Sequence, residues 1–370
     1  FRDWARTRGL KPDDINPAAG GDWTKVSYDA SPALRETNPR LYYFAHLYAY
    51  HYGIQELKAR TDLIRKALPN ADSGANFSPH HGSFYLGDAH QWITLFREGG
   101  MTMPWSEDYI FQVPVGSQQM NNLLLDLARA ANRYNPERGS HFYVMPHDPG
   151  NRPESWRRLF YGALGHGMTV VNLFEFRPVQ AAYTENYVNS PLMFHEVHRS
   201  FNELTTFEDI VQDGRPRWGK AALWYSTAGD VWLNHRPPFG PNKRALAVAV
   251  RHQQTPLDIV DEEDALRGTL AGYAALYVTD ENVSQAASRV MADWVQKGGQ
   301  LFATAGAGML DEFNQPNTTL RQLLGVQPQA LVVSTNPLVQ FEKTDLPFTT
   351  PMDQITLKAG GTIPVLAAQG

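Results

Sequence analysis

Cysteine is absent from the whole 370-residue chain. That excludes disulfides, thiolate metal sites and cysteine nucleophiles, and leaves the redox compartment open. Long apolar runs are missing as well: nothing approaches the ~18–20 residues that span a bilayer. Basic charge is scarce, with 33 Lys and Arg against 38 Asp and Glu and a net charge of −5, and no basic stripe is present. A nucleic-acid surface is therefore not expected. No Gly-X-Ser-X-Gly elbow occurs, which disfavours a serine hydrolase. The run Ala305 to Met309 follows an expected strand but lacks the Lys-Ser/Thr of a phosphate loop, so it reads as a tight turn.

What is present is a soluble, globular composition, 42% hydrophobic and 19% charged, in a chain long enough for two or three domains. Aromatic residues are abundant, with 9 Trp and 16 Tyr. Rings stack on the apolar faces of sugars, although core packing uses them equally well. The first residues, Phe1 to Arg6, read as a helix already in progress, and Gly360 to Leu366 as a strand cut short. The chain therefore reads as an internal piece of a longer polypeptide, with any targeting signal upstream.

The organising pattern is a series of apolar runs that each end in polar residues. Ala75-Asn76-Phe77 precedes Pro79-His80-His81, and Met101 to Trp105 precedes Glu107-Asp108-Tyr109. Phe142 to Met145 precedes His147-Asp148, and Met168 to Phe174 precedes Glu175-Phe176-Arg177. Helical periodicity separates them, at 88–98, 118–134 and 154–165. Alternating strands and helices predict βαβ units and a parallel sheet. In a (β/α) barrel the C-terminal strand ends form the active-site face, so these four ends point to one pocket.

Residues 11–40 read as a loop-dominated insertion, and Asn38-Pro39 opens a long helix that runs to about Leu68. After a helical stretch at 190–211, Asp213-Gly214-Arg215-Pro216 marks a boundary. Strands are then expected at 221–225, 257–260, 274–278 and 300–304, with helices at 243–251 and 284–297. That order predicts a flavodoxin-like sheet. The tail from about Gly325 is strand-like.

Phe1-Arg2-Asp3-Trp4, the helix ending at Asn70, and Ser73 to Phe77 resemble the middle of the glycoside hydrolase family 42 β-galactosidases. Tyr161 to Gly167, running into Phe174-Glu175-Phe176-Arg177, is similar to that family's alanine-histidine-glycine helix end and its phenylalanine-glutamine-tryptophan-arginine strand. Phe194-His195 resembles the pair that follows. Residues 217–325 resemble the family's trimerisation domain, which has a class I glutamine-amidotransferase-like fold without its chemistry. The resemblance implies that residues 1–212 are the second half of a (β/α)8 TIM barrel, followed by that domain and a β-rich tail at 326–370. It also implies a β-galactosidase-like, retaining glycoside hydrolase without cofactor or metal, assembled as a homo-oligomer, most simply a trimer. Two departures stand out. The family's acid/base Glu would lie upstream of Phe1, and Pro146 occupies the nucleophile's place.

Glycoside cleavage needs two carboxyl groups across the scissile bond, about 5–5.5 Å apart for retention and about 6.5–9.5 Å for inversion. The candidates for catalysis are Asp148, Glu107 and Glu175, and those for substrate binding are Asn76, His80, His81, Trp105, Asp108, Tyr109, His147 and Arg177. A plainer reading makes Glu107-Asp108 a cap, Asp148 the start of an Asx-turn, and Trp105 and Tyr109 core. Glu175 ends an apolar strand and would need a partner if buried; Arg177 is two residues on. His80, His81, Asp88 and His90, with His147, could alternatively serve a metal-dependent hydrolase, but adjacent histidines point to opposite sides of an extended chain. A barrel that binds carbohydrate without cleaving it is the other alternative.

Overall fold

A computed structural model describes residues 1–75, 89–107, 118–135, 139–148, 150–174, 176–177, 187–212, 214, 216–234, 239–332, 338–341, 344–347, 352–357 and 366–368. Along the chain come α1 (Arg2–Thr7), α2 (Pro12–Ile15), α3 (Leu34–Thr37) and α4 (Pro39–Ala67). Next are α5 (Ala89–Arg97), β1 (Trp105–Glu107), α6 (Gln118–Ala131), β2 (His141–Tyr143), α7 (Pro153–Gly165), β3 (Val170–Asn172), α8 (Pro191–Leu204) and α9 (Glu208–Gln212). Then follow β4 (Ala221–Tyr225), α10 (Thr227–Val231), α11 (Phe239–His252), β5 (Leu257–Asp261), α12 (Glu262–Leu266), β6 (Ala275–Val278), α13 (Gln285–Gln296), β7 (Gln300–Ala303) and α14 (Thr318–Leu324). The tail holds β8 (Val326–Val332), β9 (Leu338–Phe341), β10 (Thr344–Pro347), β11 (Met352–Leu357) and β12 (Leu366–Ala368).

The chain divides into two compact units. One comprises Phe1–Ala49, Lys220–Leu246 and Val260–Gly370, and the other Tyr50–Gly219 with Ala247–Ile259. The 11–40 segment is not plain loop, since it contains α2, α3 and a 3-10 turn, Trp23–Lys25. Short polar caps explain the difference: Asp22 accepts from Thr24 N, and Asp13 from the amides of Gly20 and Gly21. The opening of α4 follows from its sequence, as Asn38 Oδ1 accepts from Leu41 N at 3.1 Å and Pro39 has no N–H to leave unpaired.

In the second unit β1, β2 and β3 form a parallel sheet in that order, as the alternating pattern predicts. Strand β1 begins four residues later than the apolar run that announced it. Before it, Thr102 N and Met103 N both donate to Ser73 O, and Pro104 has no N–H to donate. One face of this sheet is covered by helices. Phe142 and Val144 pack with Trp156, Leu159, Phe160 and Ala163 of α7, Met193 and Val197 of α8, and Leu125 and Ala128 of α6. Each large side chain so enclosed contributes about 1.5–3 kcal/mol. A close approach fixes the exit from α7: Gly167 has φ +84°, and a Cβ there would lie 2.8 Å from the Pro216 ring.

The first unit contains β4, β6 and β7 as parallel neighbours in that order. Ala222, Trp224, Leu276 and Val278 pack there against Ala287, Met291 and Trp294 of α13. Trp224 is wholly buried, Trp294 nearly so, and Trp232 Nε1 donates to Glu312 O. The tail pairs β8 with β11, and β9 with β10 and β12, all antiparallel. The glycine-rich turn after β7 bonds to itself and its neighbour, Ala307 N to Thr304 O and Gly308 N to Asp280 O. Among the described residues no helix is long and apolar enough to cross a membrane.

Candidate active site

The register of the parallel sheet assembles the site. Glu107 pairs with Tyr143, and Tyr143 with Asn172, so the last residues of β1, β2 and β3 form one row. Two residues earlier, Trp105, His141 and Val170 form a second row. Side chains alternate along a strand, so Trp105, His141, Tyr143, Val170 and Asn172 lie on the face opposite Phe142, which the helices cover. The face with Trp105, His141, Tyr143 and Asn172 is therefore the one turned away from those helices. Val170 is 37% exposed there, whereas Phe142 on the other face is 0% exposed.

Aromatic rings pave that face. Trp105 stacks on His141 with centroids 5.0 Å apart, and Tyr143 touches both rings and Phe174. Burial lowers the His141 pKa, so its imidazole is neutral near pH 7. Trp105 Nε1 and His141 Nε2 have no hydrogen-bond partner among the described residues.

Beyond the rows, the strand ends are tied together. His147 is 1% exposed, and its Nε2 lies 2.7 Å from Phe174 O; a carbonyl only accepts, so Nε2 carries the proton. Asp148 is half-buried and pairs with Val188: Asp148 N donates to Tyr187 O, and Asn189 N to Asp148 O. Val188 N donates to Arg177 O at 2.8 Å. Asn151 Nδ2 donates to Met145 O and Asn151 N to His147 O, which closes the turn. His147, Asp148 and Arg177 thus belong to one hydrogen-bonded layer just past the sheet's C-terminal edge.

Of the expected site residues, His147, Asp148 and Arg177 belong to this layer, Glu107 closes β1, and Trp105 stands two residues back in β1 against His141. Asn76, His80, His81, Asp108, Tyr109 and Glu175 lie outside the described residues, as does Asp88, and His90 falls in α5. No cluster of three or more His, Asp or Glu able to hold a metal exists among the described residues. Sequence reasoning missed Tyr143 and Asn172. The alternation His141, Phe142, Tyr143, Val144 held a usable signal, because it separates a polar-aromatic face from an apolar one. Also missed was the role of His166 in the alanine-histidine-glycine-like motif. Its Nδ1 lies 2.8 Å from Asp126 Oδ1, and the other Asp126 oxygen meets Arg251.

No protein-family model matches this chain, and no curated protein sequence matches it significantly. Solved structures do. Gan42B, a GH42 β-galactosidase from G. stearothermophilus, superposes with a TM-score of 0.78 at 16% identity, over 99% of this chain and 58% of that one. A β-galactosidase from the psychrophilic Marinomonas ef1 gives 0.70 at 17% identity, over 99% and 62%. The GH42 exo-carrageenase of Bacteroides ovatus gives 0.60 at 12% identity, over 85% and 46%. The chain thus spans less than two thirds of the length of these structures. At such identities the likeness is one of fold: an α/β chain with parallel sheets and a GH42-like, glycoside hydrolase-like architecture.

Proposed function

We propose that the chain is part of a β-galactosidase-like glycoside hydrolase acting on β-linked glycans, with retention of configuration. In this reading residues 1–212 are the second half of a (β/α)8 barrel, 217–325 a flavodoxin-like domain and 326–370 a β-rich tail. The observation that carries it is the register row Glu107–Tyr143–Asn172 at the C-terminal edge of the parallel sheet, with Asp148 in the layer just beyond. A parallel sheet with carboxylates at its C-terminal edge is where barrel enzymes work. Asp148, Glu107 and Glu175 are the carboxylates proposed for catalysis. Trp105 provides the stacking ring, and Asn76, His80, His81, Asp108, Tyr109, His147 and Arg177 the polar surround.

Pro146 is buried and offers no nucleophile. It favours one second reading, a barrel that binds carbohydrate without cleaving it. The two readings separate in an aryl β-glycoside screen paired with calorimetry, on a polypeptide that adds an upstream barrel half to this chain. A hydrolase releases aglycone; a binding protein takes up sugar and releases none. We also propose a homo-oligomer, most simply a trimer built through 217–325, for which light scattering is the test.

A further inference from the structure

We propose that the C-terminal edge of strands β4, β6 and β7 binds a small carboxylate, with the Arg244 guanidinium as its anchor and the Thr279 and Thr304 hydroxyls beside it. Open α/β sheets hold ligands outside the carboxyl ends of their parallel strands. Here β4 pairs Leu223 with Tyr277 of β6, and side chains alternate, so Tyr225 and Thr279 share a face two residues on. Thr304 flanks Thr279 from β7, since Ala303 pairs with Val278 and Thr304 N donates to Val278 O at 3.1 Å. Trp224, Val278 and Ala303 turn the other way, into the core shared with α13. Thr279 is wholly buried, and neither its hydroxyl nor that of Thr304 has a partner among the described residues.

Helix α11 brings two cations to this edge. Lys243 Nζ lies 4.1 Å from the centroid of the Tyr225 ring and is neutralised by Asp280 at 2.8 Å. Arg244 is 7% exposed and, among the described residues, makes neither an ion pair nor a hydrogen bond. Burial pushes its pKa down, and the ionisable group that opposes the shift is Tyr225 rather than any carboxylate. A guanidinium carries five donors and keeps its charge, so enclosing it without an acceptor is costly unless an anion enters. One uncompensated positive charge matches a carboxylate, whose two oxygens suit the guanidinium fork. A phosphate dianion would add a second negative charge where Asp280 and Asp230 are already buried. The same face opens further back, where Phe302 is 51% exposed beside Tyr277, and this gives a small ion a way in.

The test is calorimetry and thermal unfolding of the full 370-residue chain at pH 8 and fixed ionic strength, with acetate, inorganic phosphate or chloride as the probe. Wild type should bind acetate saturably, with a Kd of about 10 mM or below, and gain Tm as acetate rises. Phosphate and chloride should bind at least ~10-fold more weakly. Arg244→Met should lose acetate binding at least ~10-fold, yet unfold at a higher temperature than wild type in acetate-free buffer, because it removes an unpaired buried charge. Thr279→Val, of nearly unchanged shape, should weaken acetate about 3–10-fold. Absence of saturable acetate binding to wild type overturns the site, as does binding that neither variant weakens. A lower Tm for Arg244→Met without acetate overturns it too, since the guanidinium is then satisfied within the chain. Phosphate bound as tightly as acetate overturns the choice of a carboxylate.

Discussion

Asp126 Oδ1 lies 2.8 Å from Nδ1 of His166; the Asp126 side chain is buried and that of His166 largely so. A carboxylate beside an imidazole ordinarily favours the charged ring. Here burial wins, helped by the nearby Arg129 charge, and holds the His166 pKa down to about 4. Arg251 on the other Asp126 oxygen balances the carboxylate, so a neutral His166 can donate from Nδ1 without leaving a charge uncompensated. The segment that carries Arg251 is also joined to α6 by Arg129 with Asp258 and by Arg133 with Ile259 O.

That arrangement has a pH signature. A histidine whose folded pKa lies below its unfolded value of about 6.5 adds stability that is complete above pH ~6.5 and is lost as pH falls toward ~4. The loss should be on the order of 3 kcal/mol across that window. His166→Gln should flatten this part of the stability–pH curve, measured by urea denaturation at half-unit steps. An unchanged acid limb in the variant would show that His166 is not the group responsible.

Asp126→Ala should be more damaging than His166→Gln. It leaves the largely buried Arg251 guanidinium, whose pKa burial already lowers to about 10, without its carboxylate. Breaking a buried pair from one side costs about 3–5 kcal/mol. Equilibrium unfolding that shows less than ~1 kcal/mol would mean that the network is solvated.

A second buried pair, Lys243 Nζ with Asp280 Oδ1 at 2.8 Å, lies in the other unit. Burial raises the Asp280 pKa and Lys243 works against it. Lys243→Met alone should destabilise by about 3–5 kcal/mol, and pairing it with Asp280→Leu should restore much of the loss. A double variant as unstable as the single would point to packing over the Tyr225 ring, 4.1 Å from Nζ, as the main contribution.

Glu262 behaves oppositely to His166. Burial first, then the Glu312 and Asp261 charges, push its pKa up to about 7 against the Ser284 N–H that it accepts. A carboxyl with a raised folded pKa is favourable while protonated, so its contribution is present at acid pH and is lost as pH rises from ~4.5 through ~7. Glu262→Gln should therefore raise Tm at pH 8 and leave it nearly unchanged at pH 5. Equal shifts at both pH values would exclude titration as the cause.

How legible these features were depends on their range in sequence. Helices α4, α6, α7 and α13 and strand β4 were readable to within a few residues, because periodicity and caps such as Asn38 and Ser284 are local. Short α10, α12 and α14 were missed: five to seven residues carry too little periodic signal, and α12 rests on the reciprocal Asp261–Asp264 cap. The positions of Glu107 at the end of β1 and Asp148 beyond β2 were legible because polar residues closing apolar runs mark them. The row Glu107–Tyr143–Asn172 was not, since strand register is a tertiary property and a shift of one residue would turn Tyr143 to the other face. Asp126 and Arg251 are far apart in sequence, and nothing local announces their contact.

The central proposal is that carboxylates at this sheet edge cleave a glycosidic bond. The most direct measurement is kcat/KM for an aryl β-galactoside with a polypeptide that joins these residues to an upstream barrel half. Wild type should be compared with Asp148→Asn, Glu107→Gln and Glu175→Gln. Loss of a general acid, base or nucleophile lowers turnover by about 10²–10⁴-fold or more, and each swap keeps shape while removing charge. At least two of the three should fall by that much with the fold intact, and the 370-residue chain alone should release no aglycone. Wild-type turnover in all three variants would contradict the assignment of this edge as the catalytic site.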